Sequence, residues 1–181
     1  VRIEVTPLQT EGMRDVRGDV VRRQLIADHG VDVGIVRSIC GYLIRSQYDA
    51  SSIAPRVQDI FSDPIIEFGA VDTPVIHDSN FFPQTPSLCV TIGFKPGVTD
   101  NPGAAANDGF QVLFPDINAA ISTYTTYVFT DLPETVDNVW LASTLHNPGI
   151  ERAILVTLYY LPSGNASIIT CRYSPTVCPQ A

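Results

Sequence analysis

The sequence predicts an α+β chain built from two tandem β-α-β-α-β repeats that form a pseudo-dimer within one molecule, followed by a C-terminal hairpin extension. Two short blocks that each occur twice, and a matching alternation of strand-like and helix-like segments around them, carry that prediction. Gly12-Met13-Arg14-Asp15-Val16-Arg17-Gly18 and Gly97-Val98-Thr99-Asp100-Asn101-Pro102-Gly103 share G-x-x-D-x-x-G at a shift of 85 residues. At the same shift Val36, Tyr42, Leu43 and Ile44 fall on Ile121, Tyr127, Val128 and Phe129. Asp63-Pro64-Ile65-Ile66-Glu67 faces Asn147-Pro148-Gly149-Ile150-Glu151 at a shift of 84, and Ile3 and Val5 face Val90 and Ile92 at 87, with a two-residue insertion around Pro7–Gln9. Blocks that hold their order at nearly constant shift mark a tandem duplication. Repeat 1 spans residues 1–71, a linker 72–86, repeat 2 residues 87–157, and an extension 158–181.

The elements follow in order. Val1–Thr6 alternates apolar and polar residues, as a half-buried strand does, and Leu88–Phe94 repeats it. Each glycine block then turns, and its Asp, Asp15 or Asp100, caps the next helix by accepting from an orphan backbone N–H. Val16, Val20, Val21 and Leu25 form the first apolar stripe, stopped by Gly30. In the second copy Pro102 suits the first helical turn, and Ala106, Phe110 and Leu113 or Phe114 make the stripe up to Pro115. Long strands are expected over Val33–Arg45 and Asn118–Thr130, without a hairpin at Gly41. A second helix starts at Ser51 or Ser52 and uses Ile53, Val57, Ile60 and Phe61; its counterpart uses Val136, Trp140 or Leu141, and Leu145. Asp63-Pro64 and Asn147-Pro148 stop these helices, because proline pushes the preceding residue out of the α region. Strands over Ile65–Val71 and Ile150–Thr157 close the repeats. Leu158–Leu161, a turn at 162–165 and Ala166–Tyr173 give the hairpin. A seventy-residue unit buries little surface alone, so two joined units are expected to share a sheet or stack their helices.

Composition narrows the function. Of 181 residues 45% are hydrophobic and 17% charged, which fits a globular chain. No apolar run reaches the roughly 20 residues that a transmembrane helix needs, and no secretory leader is visible. The net charge of −8 makes nucleic acid a poor partner. Cys40, Cys89, Cys171 and Cys178 have no metal-ligand spacing, and His29, His77 and His146 are dispersed. Cys40 and Cys89 sit in apolar runs and read as buried thiols, while Cys171 and Cys178 are close enough to bridge. The usage suits a reducing cytoplasm.

The pair of blocks resembles PurS, the small subunit of phosphoribosylformylglycinamidine synthase, and the equivalent N-terminal domain of the fused forms of that enzyme. Lys95–Gly103 entering a helix and Asp63–Glu67 ending one carry the likeness, which extends over both repeats. The resemblance implies a noncatalytic role in purine biosynthesis. Partners would be a glutaminase that releases ammonia and a synthetase that consumes it with ATP and Mg; this chain would bind no cofactor itself. The duplicated repeat would correspond to a PurS dimer. A different class of function is also open, a tandem regulatory module that senses a small molecule between its two units.

Candidate residues divide accordingly. Gly12, Asp15, Gly18, Gly97, Asp100 and Gly103 are expected as turn and cap residues; the loop after Lys95 lacks the G-K-[ST] ending of a phosphate loop. Phe81 and Phe82, in a polar linker, either pin it to the core or anchor a partner. Arg22 and Arg23, with Arg14 and Arg17, form either a solvated helix face paired with Asp15 and Asp19 or a docking site for an acidic partner. Cys40 lies within a strand and not at a nucleophile elbow, so no catalytic residue is expected. Asn165-Ala166-Ser167 matches the glycosylation sequon.

Overall fold

The computed structural model describes residues 1–9, 13–47, 50–160 and 167–172, with 50–52, 57–59, 157–160 and 167–172 described as backbone. In chain order the elements are β1 (Arg2–Pro7), α1 (Val16–His29), β2 (Val36–Ser46), α2 (Ala50–Phe61), β3 (Glu67–Val71), β4 (Leu88–Phe94), α3 (Asn101–Leu113), β5 (Ala119–Phe129), α4 (Asn138–Leu145), β6 (Glu151–Tyr160) and β7 (Ser167–Arg172). A 3-10 turn, Val75–His77, lies between β3 and β4. The strands form one antiparallel sheet in the order β3-β1-β2-β5-β4-β6-β7. The fold is α+β, and the order of the first six strands reads equivalently from either side of the central β2–β5 pair. The two β-α-β-α-β stretches thus share a sheet and do not pack as separate bodies.

Alternation along the strands divides the sheet into two faces. On the front, where the helices lie, each helix that follows a first strand packs into the other half of the molecule. Val21 and Leu25 of α1 join Leu88, Val90 and Ile92 of β4, Leu141 of α4 and Leu155 of β6 in one core. Phe110 of α3 joins Ile3 and Val5 of β1 and Ile53 and Phe61 of α2 in the other. The His29 ring meets Trp140 edge-on between α1 and α4, and Arg56 of α2 lies over the Phe114 ring beyond α3. On the back, Val75 and Phe82 of the linker are buried against Ile39, Cys89 and Val128.

The two blocks owe their residues to hydrogen bonding. Asp15 accepts from Gly18 N at 2.8 Å, and its carboxylate also takes Ser38 N and Ser38 Oγ of β2. Asp100 does the same with Gly103 N at 2.7 Å, Thr123 N and Thr123 Oγ1 of β5. Each Asp therefore caps its helix and moors it to a central strand. Gly18 and Gly103 lie inside the helices, not in the turn, where the backbones come too close for a side chain. A Cβ on Gly18 would stand 2.0 Å from Val36 O, and one on Gly103 would stand 2.7 Å from Ile121 O. Gly97 turns in the left-handed region at φ 85°. Gly12 lies outside the described residues.

In the second block Asp63 Oδ1 accepts from Ile65 N, Asp63 O accepts from Glu67 N, and Glu67 Oε2 accepts from Asp63 N at 3.0 Å. Asn147 and Glu151 repeat all three bonds with Gly149 N, Glu151 N and Asn147 N. An Asx turn with a returning glutamate is what requires Asp or Asn at the first place of the block and Glu at the last.

Several expectations need correction. The buried face of α1 is Gly18, Val21 and Leu25, with Val16 66% and Val20 38% exposed, because the close approach of Gly18 to the Val36 backbone turns that face inward. Helix α2 already includes Ser51 and Ser52 and carries Pro55 inside it; the side chain of Val57 lies outside the described residues. Val136 precedes α4, whose cap is Asp137, accepting from Val139 N and Trp140 N. The closing strands begin at Glu67 and Glu151, since Ile65, Ile66 and Ile150 belong to the exposed Asx turns. Gly41 continues β2, and β6 pairs with β7 as the expected hairpin does, while its turn residues lie outside the described ones. No helix among the described residues is long and apolar enough to cross a membrane.

Candidate functional site

The register of β2 on β5 sets Cys40 opposite Thr125, and these two positions are themselves 85 residues apart. That separation equals the shift between the two glycine blocks. A cleft of about 450 Å³ opens over the pair on the front face. Tyr42 and Tyr127 flank the pair, Arg17 of α1 and Pro102 of α3 stand at equivalent helix N-termini, and Glu151 closes one side. A smaller cavity of about 300 Å³ beside it is lined by Asp15, Arg17, Ser38, Cys40 and Glu67.

The electrostatics follow from burial. Arg17 Nη1 donates to Cys40 Sγ. Burial nevertheless pushes the Cys40 thiol up, outweighing the opposing pull of Arg17. Burial likewise pushes up the phenols of Tyr42 and Tyr127. Near neutral pH the cleft thus presents a protonated thiol, two protonated phenols, threonine hydroxyls and a guanidinium. The set donates hydrogen bonds and orients a polar guest, and it holds a thiol in its least nucleophilic form. Cys89, on the back face, is pushed up to about 12 by burial alone. Among the described residues no group of three or more His, Cys, Asp or Glu is placed to hold a metal ion.

The sequence-derived candidates disperse over the molecule. Phe82 is 6% exposed in the back-face core, with Arg37 over its ring, and Phe81 stacks on Phe68 at 4.4 Å between centroids. Both phenylalanines hold the linker down. Arg22 forks onto Asp32 at 2.8 and 2.9 Å, not onto Asp15 or Asp19, and Arg23 Nε donates to the Asp19 carbonyl. The pairing is absent at Asp15 because that carboxylate is engaged by Gly18 and Ser38. Among the described cap residues only Asp15 reaches the cleft region, in the smaller cavity. His146 Nδ1 lies 2.6 Å from Ala142 O. Cys171 is described as backbone within β7; Cys178 and Asn165 lie outside the described residues.

Two functional-looking features escaped the sequence. Arg17 was read only as part of the α1 arginine cluster and Thr125 as an ordinary strand residue; the signal was that the 85-residue shift aligns Arg17 with Pro102 and Cys40 with Thr125. Glu4 looked like the solvent side of β1, yet it is 8% exposed. It accepts from Val75 N at 2.8 Å and from Tyr124 Oη at 2.9 Å, and so joins linker, β1 and β5.

Comparison with family models, curated proteins and solved structures finds no match to this chain.

Proposed function

We propose that the chain is a noncatalytic, PurS-like component of a phosphoribosylformylglycinamidine synthase. It would act in the cytoplasm as an adaptor between glutaminase and ATP-dependent synthetase and support transfer of ammonia. The observation that carries this reading is the doubled pair of blocks: each Asp of G-x-x-D-x-x-G moors a helix, and each D/N-P-x-I-E closes one, at corresponding places in a shared sheet. In this reading the halves are copies of one module, and the β2–β5 junction stands for the interface of a two-chain dimer. ATP and Mg belong to the synthetase.

Reconstitution with glutaminase and synthetase tests the proposal. Omitting the chain is expected to abolish glutamine-dependent amidine formation, while synthesis from an ammonium salt continues, and the three proteins are expected to co-elute. Unchanged glutamine-dependent turnover without the chain, together with no co-elution, would overturn the proposal.

The central cleft favours a second reading, a sensor of a small polar molecule, because both halves contribute donors to one cavity. A rise of several degrees in thermal midpoint with glutamine, ADP or a purine intermediate alone would support it.

A further inference from the structure

The linker covers only half of the back face. Under it lie Ile39, Phe68, Ala70, Cys89, Val128 and Val156, apolar and packed against Val75, Ile76, Phe81 and Phe82. The same 84- and 85-residue shifts lead from Ile39, Phe68, Ala70 and Val128 to Tyr124, Arg152, Ile154 and Leu43. These four residues line a trough of about 560 Å³ on the other half, over which no described segment lies. Its floor keeps the apolar character at Leu43, Tyr124 and Ile154. Gly93, between Tyr124 on β5 and Arg152 on β6, leaves the backbone bare along the middle.

The rim is basic. Arg2, Arg45, Lys95 and Arg152 are four of the chain's 11 bases, gathered on one trough of a protein with net charge −8. The nearby carboxylates are engaged in holding the fold. Glu4 accepts from Val75 N and Tyr124 Oη and sits 3.7 Å from Arg2, while Asp100 caps α3. Among the described residues Arg45 and Arg152 have no ion-pair partner. A long apolar strip with cations along its edges complements a chain carrying carboxylates beside apolar side chains, and opposed charge steers such a chain to its place.

We propose that this uncovered half of the back face docks an acidic segment of a partner protein that also carries apolar side chains, as the linker is seated on the corresponding half. The linker, which turns through a 3-10 stretch at Val75–His77, supplies the precedent for a chain segment on this floor. Arg45 and Arg152, with Arg2, select an acidic one, while the Lys95 ammonium is given to Pro148 O. The proposal does not depend on which partner complex the protein serves.

The probe is a fluorescein-labelled ten-residue peptide alternating glutamate with leucine and phenylalanine, read by anisotropy on the full chain. Binding is expected at low salt, weakening steeply as salt is raised. Replacing glutamate by lysine in the peptide is expected to abolish it. The double variant R45Q/R152Q, at exposed positions, is expected to bind about tenfold more weakly with an unchanged melting temperature. R14Q/R23Q makes the same change in net charge just before and within α1 and is expected to bind as the parent does. Equal weakening in both double variants, or no binding of the acidic peptide, would overturn the proposal. Inorganic triphosphate binding at Arg45 and Arg152 without the peptide would replace it with a small-anion site. Self-association lost in R45Q/R152Q would replace it with a contact between copies.

Discussion

Asp100→Ala removes the carboxylate that caps α3 and ties it to β5. Three donors lose their acceptor: Gly103 N at 2.7 Å, and Thr123 N and Thr123 Oγ1 at 2.5 and 2.8 Å. Loss of an N-cap costs about 1 kcal/mol, and a backbone N–H stranded away from water costs about 1–3 kcal/mol more. Helix α3 carries Phe110, fully buried in the core of the opposite half, so the mooring is not peripheral. The expected loss is about 3 kcal/mol, or roughly 6–12 °C in melting temperature for a domain of this size. Urea denaturation followed by circular dichroism measures it. Asp15→Ala, which strands Gly18 N, Ser38 N and Ser38 Oγ, is expected to cost a similar amount. Asp100→Asn keeps one acceptor oxygen and is expected to lose less than half as much. A loss below about 0.5 kcal/mol for Asp100→Ala, the range of an ordinary surface change, would refute the assignment of the block to helix mooring.

Three further outcomes follow from the geometry. Gly18→Ala is expected to destabilise by about 2–3 kcal/mol because its Cβ would meet a strand carbonyl, whereas Gly109→Ala, with only Ile60 Cγ2 at 3.7 Å, is expected to stabilise by about 0.5–1 kcal/mol; chemical denaturation of both measures the contrast. The Arg22 guanidinium, bonded to Asp32, holds that carboxyl at about 2, below its usual 3.8. A lowered folded-state value means that the contribution is present above about 4 and is lost as pH falls through about 2, so the Asp32 carboxyl resonance is expected to titrate near 2 in the parent and higher in Arg22→Gln, still short of 3.8 because Gly34 N continues to donate to Asp32. Because burial raises Cys40 and Cys89, both thiols are expected to stay protonated and alkylate slowly at neutral pH until the chain unfolds, as peptide mapping reports; fast alkylation of Cys40 in the folded protein would mean that Arg17 sustains a thiolate.

What could be read from the sequence was whatever repeats locally. The glycine and Asx-proline blocks announce caps and stops because those bonds form within a few residues, and the period-two and helical patterns gave the strand and helix order. The α1 stripe was misread because Val16 and Val20 fit the helical period, yet the face that packs is chosen by the close contact of Gly18 with β2. The burial of Glu4 was not legible, because alternation marks the back of β1 as polar without showing that Val75 and Tyr124 come to meet it. The cleft was not legible, since its centre depends on the register of β2 on β5, which no local pattern fixes. The basic rim was likewise hidden, because its four cations come from four strands or their ends.

The exchange of α1 and α3 across the junction has a consequence for any attempt to split the protein. A fragment ending in the linker would keep α1 without the β4 and α4 surface that buries Val21 and Leu25. The complementary fragment would keep α3 without the β1 and α2 pocket that takes Phe110. Neither piece is a small version of the whole; each holds a plug whose socket was left on the other, so the two would regain their shape only on meeting again.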